Sequence, residues 1–411
     1  MADAMADWVA DGLQRCLDRM ESTAAAVGDR FPYYADPETG EWVSTDESEW
    51  CGGHWVCALW YAALHRGRED LRRLGLRLTE RLLTYQDQDD MFRSALYYFS
   101  CARGYELFGD ETLRAHALRI APKVAAMYNA RARQSPVGRQ VRVRGASDEG
   151  GGQTRWGTHG SFITAVDNIY INLLLPWWAW KETGEARYRD LCTAHADRTV
   201  EWFMRPDGST WEFIDFDPDT GAPQGRWTLL GYSADSTWAR GQAWFIHGLV
   251  LAYLHTRSSR YLDALEQAVG FLMGHRAPTG VPWWDLTDPN IPACPVDTSA
   301  AAVAAAGLVE LARVPDEEAR LRRLAQAGVE LARCVVWGYL TPLGRDDRRP
   351  AGMVLSGCFN RNAGVAPDHE LFWGDFYLLD ALLRLKATGF LGQAFPASGR
   401  SDGAGEARHG S

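Results

Sequence analysis

The sequence predicts an all-α protein, an (α/α)6 barrel in which six helical hairpins close into a toroid. Apolar residues recur with a period near 3.6 in about twelve segments, and strand-like alternation is scarce. Successive segments also differ in composition, from small and apolar at Ala300 to Ala306 to charged at Glu317 to Arg323. An inner ring of buried helices within an outer ring of amphipathic helices would produce this difference.

The predicted helices form pairs with short turns between them, such as residues 108–110 and 181–184. In chain order they lie near residues 7–20, 53–65, 68–84, 92–107, 111–129, 162–182, 185–204, 234–255, 258–274, 297–313, 316–336 and 369–386.

Long connections follow every second helix in the later part of the chain, so a closed ring would place these connections at one end. They are expected near residues 130–161, 205–233, 275–296 and 337–368. Loops of this length within a compact domain usually carry function. The helices predict one catalytic domain over residues 1–390, and the Gly/Ser-rich residues 391–411 predict a disordered tail.

Composition excludes several classes of partner. The net charge of −10 argues against nucleic acid, because phosphate binding needs a positive surface. No apolar stretch is long enough to span a membrane, and the acidic amino-terminal helix does not resemble a secretory signal. The eight cysteines are scattered, which predicts reduced thiols and a cytoplasmic protein. The 18 tryptophans suit a site that stacks on flat ligand faces, and the oligomeric state stays open.

Asp167 is the strongest candidate for a catalytic group. It stands among apolar neighbours in a predicted helix, where burial should raise the pKa of its carboxyl. A carboxyl that keeps its proton near neutral pH can act as a general acid. The structural alternative is an aspartate whose charge is satisfied by amides at the start of a helix.

A second acidic cluster, Asp87-Gln88-Asp89-Asp90, could supply a partner carboxylate for Asp167 across the ring. Two carboxyl groups can divide the work of protonating a substrate and holding water. Exposed acids in a turn are the simpler explanation of this cluster. The same residues also match the D-x-D-D pattern of class II terpene cyclases, which use α-toroids as well.

The segment Trp238 to Trp244 predicts a binding wall. If it is helical, Arg240 and Trp244 lie one turn apart on the same face. An indole can stack on a sugar ring, and a guanidinium can bind a uronic acid carboxylate at two points. A core helix with a salt-bridged arginine is the alternative. The chain shows no zinc-ligand spacing, phosphate loop or nucleophile elbow, so we predict no cofactor and no metal.

At these motifs the chain resembles the unsaturated glucuronyl hydrolases of glycoside hydrolase family 88, over about residues 31 to 386. The resemblance is carried by the motifs Trp50-Cys51-Gly52-Gly53-His54-Trp55, Asp167-Asn168, Tyr232 to Trp244, Pro282-Trp283-Trp284-Asp285, Asp297 to Ala302, and Trp373-Gly374-Asp375-Phe376-Tyr377. It implies an (α/α)6 barrel and a small acidic oligosaccharide, ending in a 4,5-unsaturated uronic acid, as the substrate.

The resemblance also implies roles for individual residues. Asp167 would protonate C4 of the vinyl ether and then activate water to attack C5, and Asp89 would be its partner, with Asp90 as the fallback. The predicted substrate contacts comprise Arg240 and Trp244, two further tryptophans, and two polar side chains: Trp156, Trp55, Glu212 and Gln242.

The chain departs from the family near the predicted sugar site. The family places a histidine at about the position of Glu212, and it carries T-H-Q-G where this chain reads Thr228-Leu229-Leu230-Gly231. A third carboxylate beside a uronate would be repulsive unless it is protonated or turned away. Two alternatives therefore stay open: a related enzyme acting on another uronoside or unusual sugar, and a sugar-binding barrel without catalysis.

Overall fold

The computed structural model describes residues 2–140, 162–314 and 319–388, with side-chain burial from residue 8 onward. Its α-helices are α1 (Ala2–Val27), α2 (Gly52–Arg66), α3 (Glu69–Leu82), α4 (Arg93–Tyr97), α5 (Arg103–Phe108), α6 (Glu111–Ala125), α7 (Asn168–Ile171), α8 (Leu174–Thr183), α9 (Ala186–Phe203), α10 (Ala239–Thr256), α11 (Ser259–Gly274), α12 (Thr298–Val309), α13 (Ala319–Tyr339) and α14 (Phe372–Thr388). A π-helical turn at Tyr98–Ala102 joins α4 to α5.

The helices form two concentric rings, as the sequence predicts. The inner ring runs through α2, α4–α5, α7–α8, α10, α12 and α14, and it closes because α14 packs against α2. The outer helices are α1, α3, α6, α9, α11 and α13. Every residue of α12 is buried, whereas α3 buries one face only. The (α/α)6 barrel is thus confirmed.

Small residues let the inner helices approach one another closely. In α12, a Cβ atom added to Gly307 would lie 2.8 Å from the ring of His247 in α10. The start of α12 is fixed by Asp297, whose side chain accepts a hydrogen bond from the Ser299 amide. One contiguous hydrophobic core extends from Trp8 to Leu385. Within the described ranges, no helix has the length and apolar character needed to cross a membrane.

Two small antiparallel sheets lie among the loops. The first contains β1 (Phe31–Ala35), β2 (Trp42–Thr45) and β6 (Glu370–Leu371). The second contains β3 (Ile163–Ala165), β4 (Phe213–Phe216) and β5 (Pro223–Trp227), in the order β3-β4-β5. The sequence did not predict these strands, since each has five residues or fewer and shows too little alternation to detect.

The predicted helix 162–182 is wrong in its first part. Residues Ile163–Ala165 form β3, which pairs with β4 so that Thr164 lies opposite Ile214. The chain then turns at Asp167 into the short helix α7, and a break at Asn172 and Leu173 separates α7 from α8. Asp167 therefore stands at a strand-to-helix junction rather than inside a long helix. The predicted tail, residues 391–411, lies outside the described residues.

Candidate active site

A cavity of about 40 Å³ lies where the inner helices begin. Its lining combines aromatic, aliphatic and charged side chains: Trp50, Met91, Phe92, Asp167, Ile171, Glu212, Phe213, Leu229, Leu230, Trp238, Arg240, Trp244 and Phe359. The volume suits about one water molecule and is well below the roughly 300–1,000 Å³ of ordinary ligand pockets.

The Asp167 carboxyl has an unsatisfied oxygen at this cavity. Its Oδ1 is buried and has no hydrogen-bond partner among the described residues, and its side chain does not cap α7. Burial raises the pKa of Asp167 well above its usual value, and the Glu212 carboxylate raises it further, whereas Arg240 lowers it. Burial thus favours the neutral form of this carboxyl, which is the direction that the sequence predicts.

Glu212 shares the cavity but has a different environment. The amides of Leu229, Leu230 and Gly231 donate hydrogen bonds to its carboxylate over 3.0–3.2 Å, and the Thr228 hydroxyl donates another. Burial raises its pKa to about 7, against the lowering effect of these four donors. Glu212 therefore fills an anion nest formed by the loop that replaces the family's T-H-Q-G segment.

The Arg240 guanidinium lines the cavity and is also bound to protein groups. Its Nη1 donates to Asp297 Oδ2 at 2.5 Å and to the Cys358 carbonyl at 2.8 Å, and its Nη2 donates to the Phe359 carbonyl at 2.9 Å. The salt-bridged arginine considered as an alternative is thus present. Nε makes no hydrogen bond to a described residue, so a single edge of the guanidinium is left for a ligand, rather than the open fork that the sequence predicts.

Trp244 lies one turn beyond Arg240 on the cavity wall, as the helical spacing predicts. Its ring is stacked on Tyr170, with centroids 5.6 Å apart and an interplanar angle of 15°. It also meets Trp50 edge to face at 6.4 Å. These contacts fix the indole of Trp244, so the wall is preformed on this side.

Asp89 and Asp90 lie beside the cavity without lining it, within the part of the chain that the structure describes. Asp89 Oδ2 accepts a hydrogen bond from the Arg139 amide at 3.2 Å, and Asp90 is buried with its Oδ1 accepting from the Phe92 amide at 2.8 Å. The carboxylate that does share the cavity with Asp167 is Glu212. The role of Asp89 as catalytic partner stays a prediction.

Two predicted substrate contacts are fully buried among protein groups and do not line the cavity in the described part of the chain. Trp55 is fully buried and packs edge to face on Phe372 at 5.3 Å, because it belongs to the second turn of α2 rather than to its start. Gln242 is fully buried, and it binds the Gly208 and Ala268 carbonyls and the Thr210 hydroxyl. Their roles as sugar contacts stay predictions. Trp156 lies outside the described residues.

Several residues of the cavity wall are not among the predicted substrate contacts. Trp50 lies in the same motif as Trp55, and it is Trp50 that lines the cavity. The cavity lies at the starts of the inner helices, and Trp50 lies just before α2. This position in the chain is the signal that favours Trp50 as a wall residue. No local signal marks Phe359 or Ile171, because their place at the cavity depends on the closure of the ring.

The D-x-D-D alternative is not supported by the geometry. Asp87 is exposed and forms an ion pair with Lys123 Nζ at 2.5 Å on the surface. Asp90, the last acid of that pattern, is tied to the Phe92 amide. Neither carboxyl lines the cavity in the described part of the chain.

Comparisons with known proteins find relatives that span most of the chain. The chain is 30% identical over 364 residues to the unsaturated glucuronyl hydrolase of Bacillus sp. (strain GL1), which covers 87% of this chain and 92% of that protein. It is 28% identical over 362 residues to the unsaturated chondroitin disaccharide hydrolase of Streptococcus pyogenes serotype M1, covering 86% of this chain and 85% of that one. No protein-family model matches the chain.

Solved structures show the same fold. The crystal structure of unsaturated glucuronyl hydrolase from Bacillus sp. GL1 superposes with a TM-score of 0.80 at 28% identity, over 92% of this chain and 97% of that one. A variant of such an enzyme with dGlcA-Glc-Rha-Glc also gives 0.80 at 28% identity, over 91% and 96% of the two chains. The chain therefore belongs to the unsaturated glucuronyl hydrolases, glycoside hydrolase family 88, and is a glycoside hydrolase.

Proposed function

We propose that this enzyme hydrolyses 4,5-unsaturated glucuronyl oligosaccharides by hydrating the C4=C5 vinyl ether. The observation that carries the proposal is the Asp167 carboxyl, whose buried Oδ1 has no hydrogen-bond partner among the described residues and which lines an aromatic cavity. Protonating an enol ether needs one acid held in its neutral form, and burial favours that form of Asp167.

The reaction needs Asp167 twice. Its O–H proton moves to C4, the C4=C5 bond becomes single, and positive charge develops on C5 and the ring oxygen. The resulting Asp167 carboxylate then accepts a proton from a water molecule whose oxygen bonds to C5. The hemiketal opens and releases the rest of the saccharide, so one water is consumed and Asp167 ends protonated.

The cavity walls suit a flat, partly unsaturated ring. Trp50 and Trp244 offer indole surface, and the aromatic environment excludes water from the developing charge. The Nε–H of Arg240 is the donor that we assign to the uronate carboxylate. Because Asp297 already neutralises this guanidinium, we expect it to orient the ligand more than to supply net positive charge.

Loss of near-ultraviolet absorbance tests this proposal, since hydration removes the conjugated uronate. Unsaturated disaccharides from chondroitin, hyaluronan, heparin and gellan are the substrates to screen. We expect turnover with at least one of them, and a loss of roughly 10²–10⁴-fold in kcat for Asp167→Asn, with binding retained. Absence of turnover with every disaccharide would overturn the proposal, and so would an active Asp167→Asn enzyme.

We also propose a cytoplasmic location. All eight cysteines are free thiols, and all but Cys334 are buried. Buried free thiols are typical of proteins that fold in a reducing compartment. Fractionation of the native host, with a periplasmic or secreted marker as control, would check the location.

A further inference from the structure

The two carboxyl groups of the cavity, Glu212 and Asp167, differ in the hydrogen bonds that they accept. Glu212 accepts hydrogen bonds from three amides and one hydroxyl, whereas Asp167 Oδ1 accepts none from a described residue. Hydrogen bonds from donors stabilise a carboxylate far more than a neutral carboxyl. If the pair holds one proton, the nest favours the state with the charge on Glu212 and the proton on Asp167.

We propose that Glu212 is a positioning residue for catalysis, which keeps the shared proton on Asp167 and so prepares the acid for the vinyl ether. This inference rests on the proposed function. It also assigns a purpose to the departure from the family, because a carboxylate at this position would otherwise only repel a uronate. Glu212 faces its nest, so its charge is satisfied by the protein before any substrate arrives.

The other charged groups around the pair do not offer the same control. Arg240 favours the ionised form of Asp167, but its charge is compensated by Asp297 at 2.5 Å. Asp285 binds the far side of the Glu212 loop, where it accepts hydrogen bonds from the Tyr232 amide at 2.9 Å and the Ser236 hydroxyl at 2.6 Å. Asp285 does not line the cavity, and it does not contribute to the raised pKa of Asp167.

Glu212 and Asp285 therefore form a matched pair for an experiment. Both are buried carboxylates that hold consecutive amides of one loop, Gly231 and Tyr232, and only Glu212 faces Asp167. Glu212→Gln keeps the shape and removes the charge. Asp285→Asn makes the same change on the other side of the loop. A merely structural role would give both variants the same kinetic signature.

The first readout is the pH profile of kcat/KM. Without the Glu212 charge, Asp167 loses its proton more easily, so the alkaline limb should move to lower pH by about one unit, the lower end of the effect of a neighbouring charge. For Asp285→Asn the alkaline limb should coincide with the wild-type limb, whatever the change in melting temperature. Coincident limbs for Glu212→Gln and wild type would overturn the inference, as would equal shifts in both variants.

The second readout needs no substrate. The infrared C=O stretch of a protonated carboxyl, assigned to Asp167 by its loss in Asp167→Asn, is followed as the pH rises. We expect the band to disappear at lower pH in Glu212→Gln than in wild type, and Glu212→Asp to retain wild-type behaviour if Glu212→Gln fails to fold. An Asp167 band that is indifferent to the Glu212 charge contradicts the inference even if no substrate is ever found. Failure of the proposed function alone leaves this titration intact.

Discussion

The two ends of the barrel contain buried carboxyl groups that differ in their hydrogen bonding. At the end where the inner helices begin, Asp167 has an Oδ1 without a hydrogen-bond partner among the described residues. At the end where they finish, Asp380 accepts hydrogen bonds from the Tyr61 hydroxyl at 2.8 Å and from Arg384 Nε at 2.7 Å. Burial raises the pKa of both, to about 6 for Asp380 and well above its usual value for Asp167.

The larger of the two cavities lies at the far end of the barrel, not at Asp167. The far end opens on a cavity of about 670 Å³, lined by Arg103, Asp380, Arg384 and Glu310, whereas the cavity at Asp167 has about 40 Å³. The charges of the far end pair with one another, since Arg103 binds Glu106 and Arg384 binds both Asp380 and Glu310. Cavity size alone would therefore favour the far end, whereas the buried carboxyl oxygen of Asp167 without a described partner favours the end that we propose as the active site.

Replacing Asp167 or Asp380 by asparagine should give the largest difference in activity between the two ends of the barrel. Asp167→Asn should reduce kcat by roughly 10²–10⁴-fold, because it removes the transferable proton. Asp380→Asn should leave kcat per folded molecule near wild type and cost about 1–3 kcal/mol of unfolding free energy, because it disturbs a buried hydrogen-bonded group. Turnover assays together with urea unfolding check both results. Equal activity losses in the two variants would remove the distinction between the ends.

The arginine at the active-site end should matter for stability as well as binding. Asp297→Asn removes the charge that compensates Arg240 and should destabilise the fold by about 3 kcal/mol, as expected when a buried ion pair is broken. Uronate binding should tighten in the folded fraction, because the guanidinium then carries an uncompensated charge. Calorimetric titration with the unreactive Asp167→Asn background measures this effect, and weaker binding would contradict the orienting role of Arg240.

The Asp167 carboxyl should also destabilise the folded enzyme in a pH-dependent way. Since its folded pKa is raised above the unfolded value, its stabilising contribution is present below the unfolded pKa near 4 and is lost as the pH rises. Asp167→Asn should therefore be more stable than wild type at pH 7, by about 1–3 kcal/mol, and the difference should shrink towards pH 4. Thermal unfolding across this range measures it. A constant difference would show that the pKa of Asp167 is not raised.

The smallest expected effect concerns the loop that holds Glu212. Its backbone amides, not the leucine side chains, bind the carboxylate, so Leu230→Gln should leave the nest intact. The new amide side chain should lower KM for a hydroxyl-rich saccharide by roughly two- to tenfold, in line with one hydrogen bond of about 0.5–1.5 kcal/mol. Leu229→Gln is the matched control on the neighbouring position. An unchanged KM in both would place these side chains away from the sugar.

Local patterns were enough to predict the fold and the burial of Asp167. Helical periodicity located the inner and outer helices, and an aspartate among apolar residues predicted the raised pKa of Asp167. The helical spacing of Arg240 and Trp244 also placed both correctly on one wall. These predictions depend on residues near one another in the chain.

The side-chain partners that the sequence did not predict depend on long-range contacts. The partners of Arg240 are Asp297, Cys358 and Phe359, and those of Glu212 lie 16 to 19 positions away, so neither set could be read from local spacing. The same holds for Gln242, whose side chain is used to tie Gly208 to α11. Residues that share a motif can therefore separate into site and scaffold once the ring closes.

Hydrolysis in D₂O tests the central claim most directly. If Asp167 protonates the vinyl ether, NMR of the product should show one deuterium at C4 for every saccharide cleaved, and Asp167→Asn should show neither cleavage nor label. Cleavage by the wild-type enzyme without deuterium at C4 would contradict the account, because the bond would then break by a route that does not begin with protonation of the double bond.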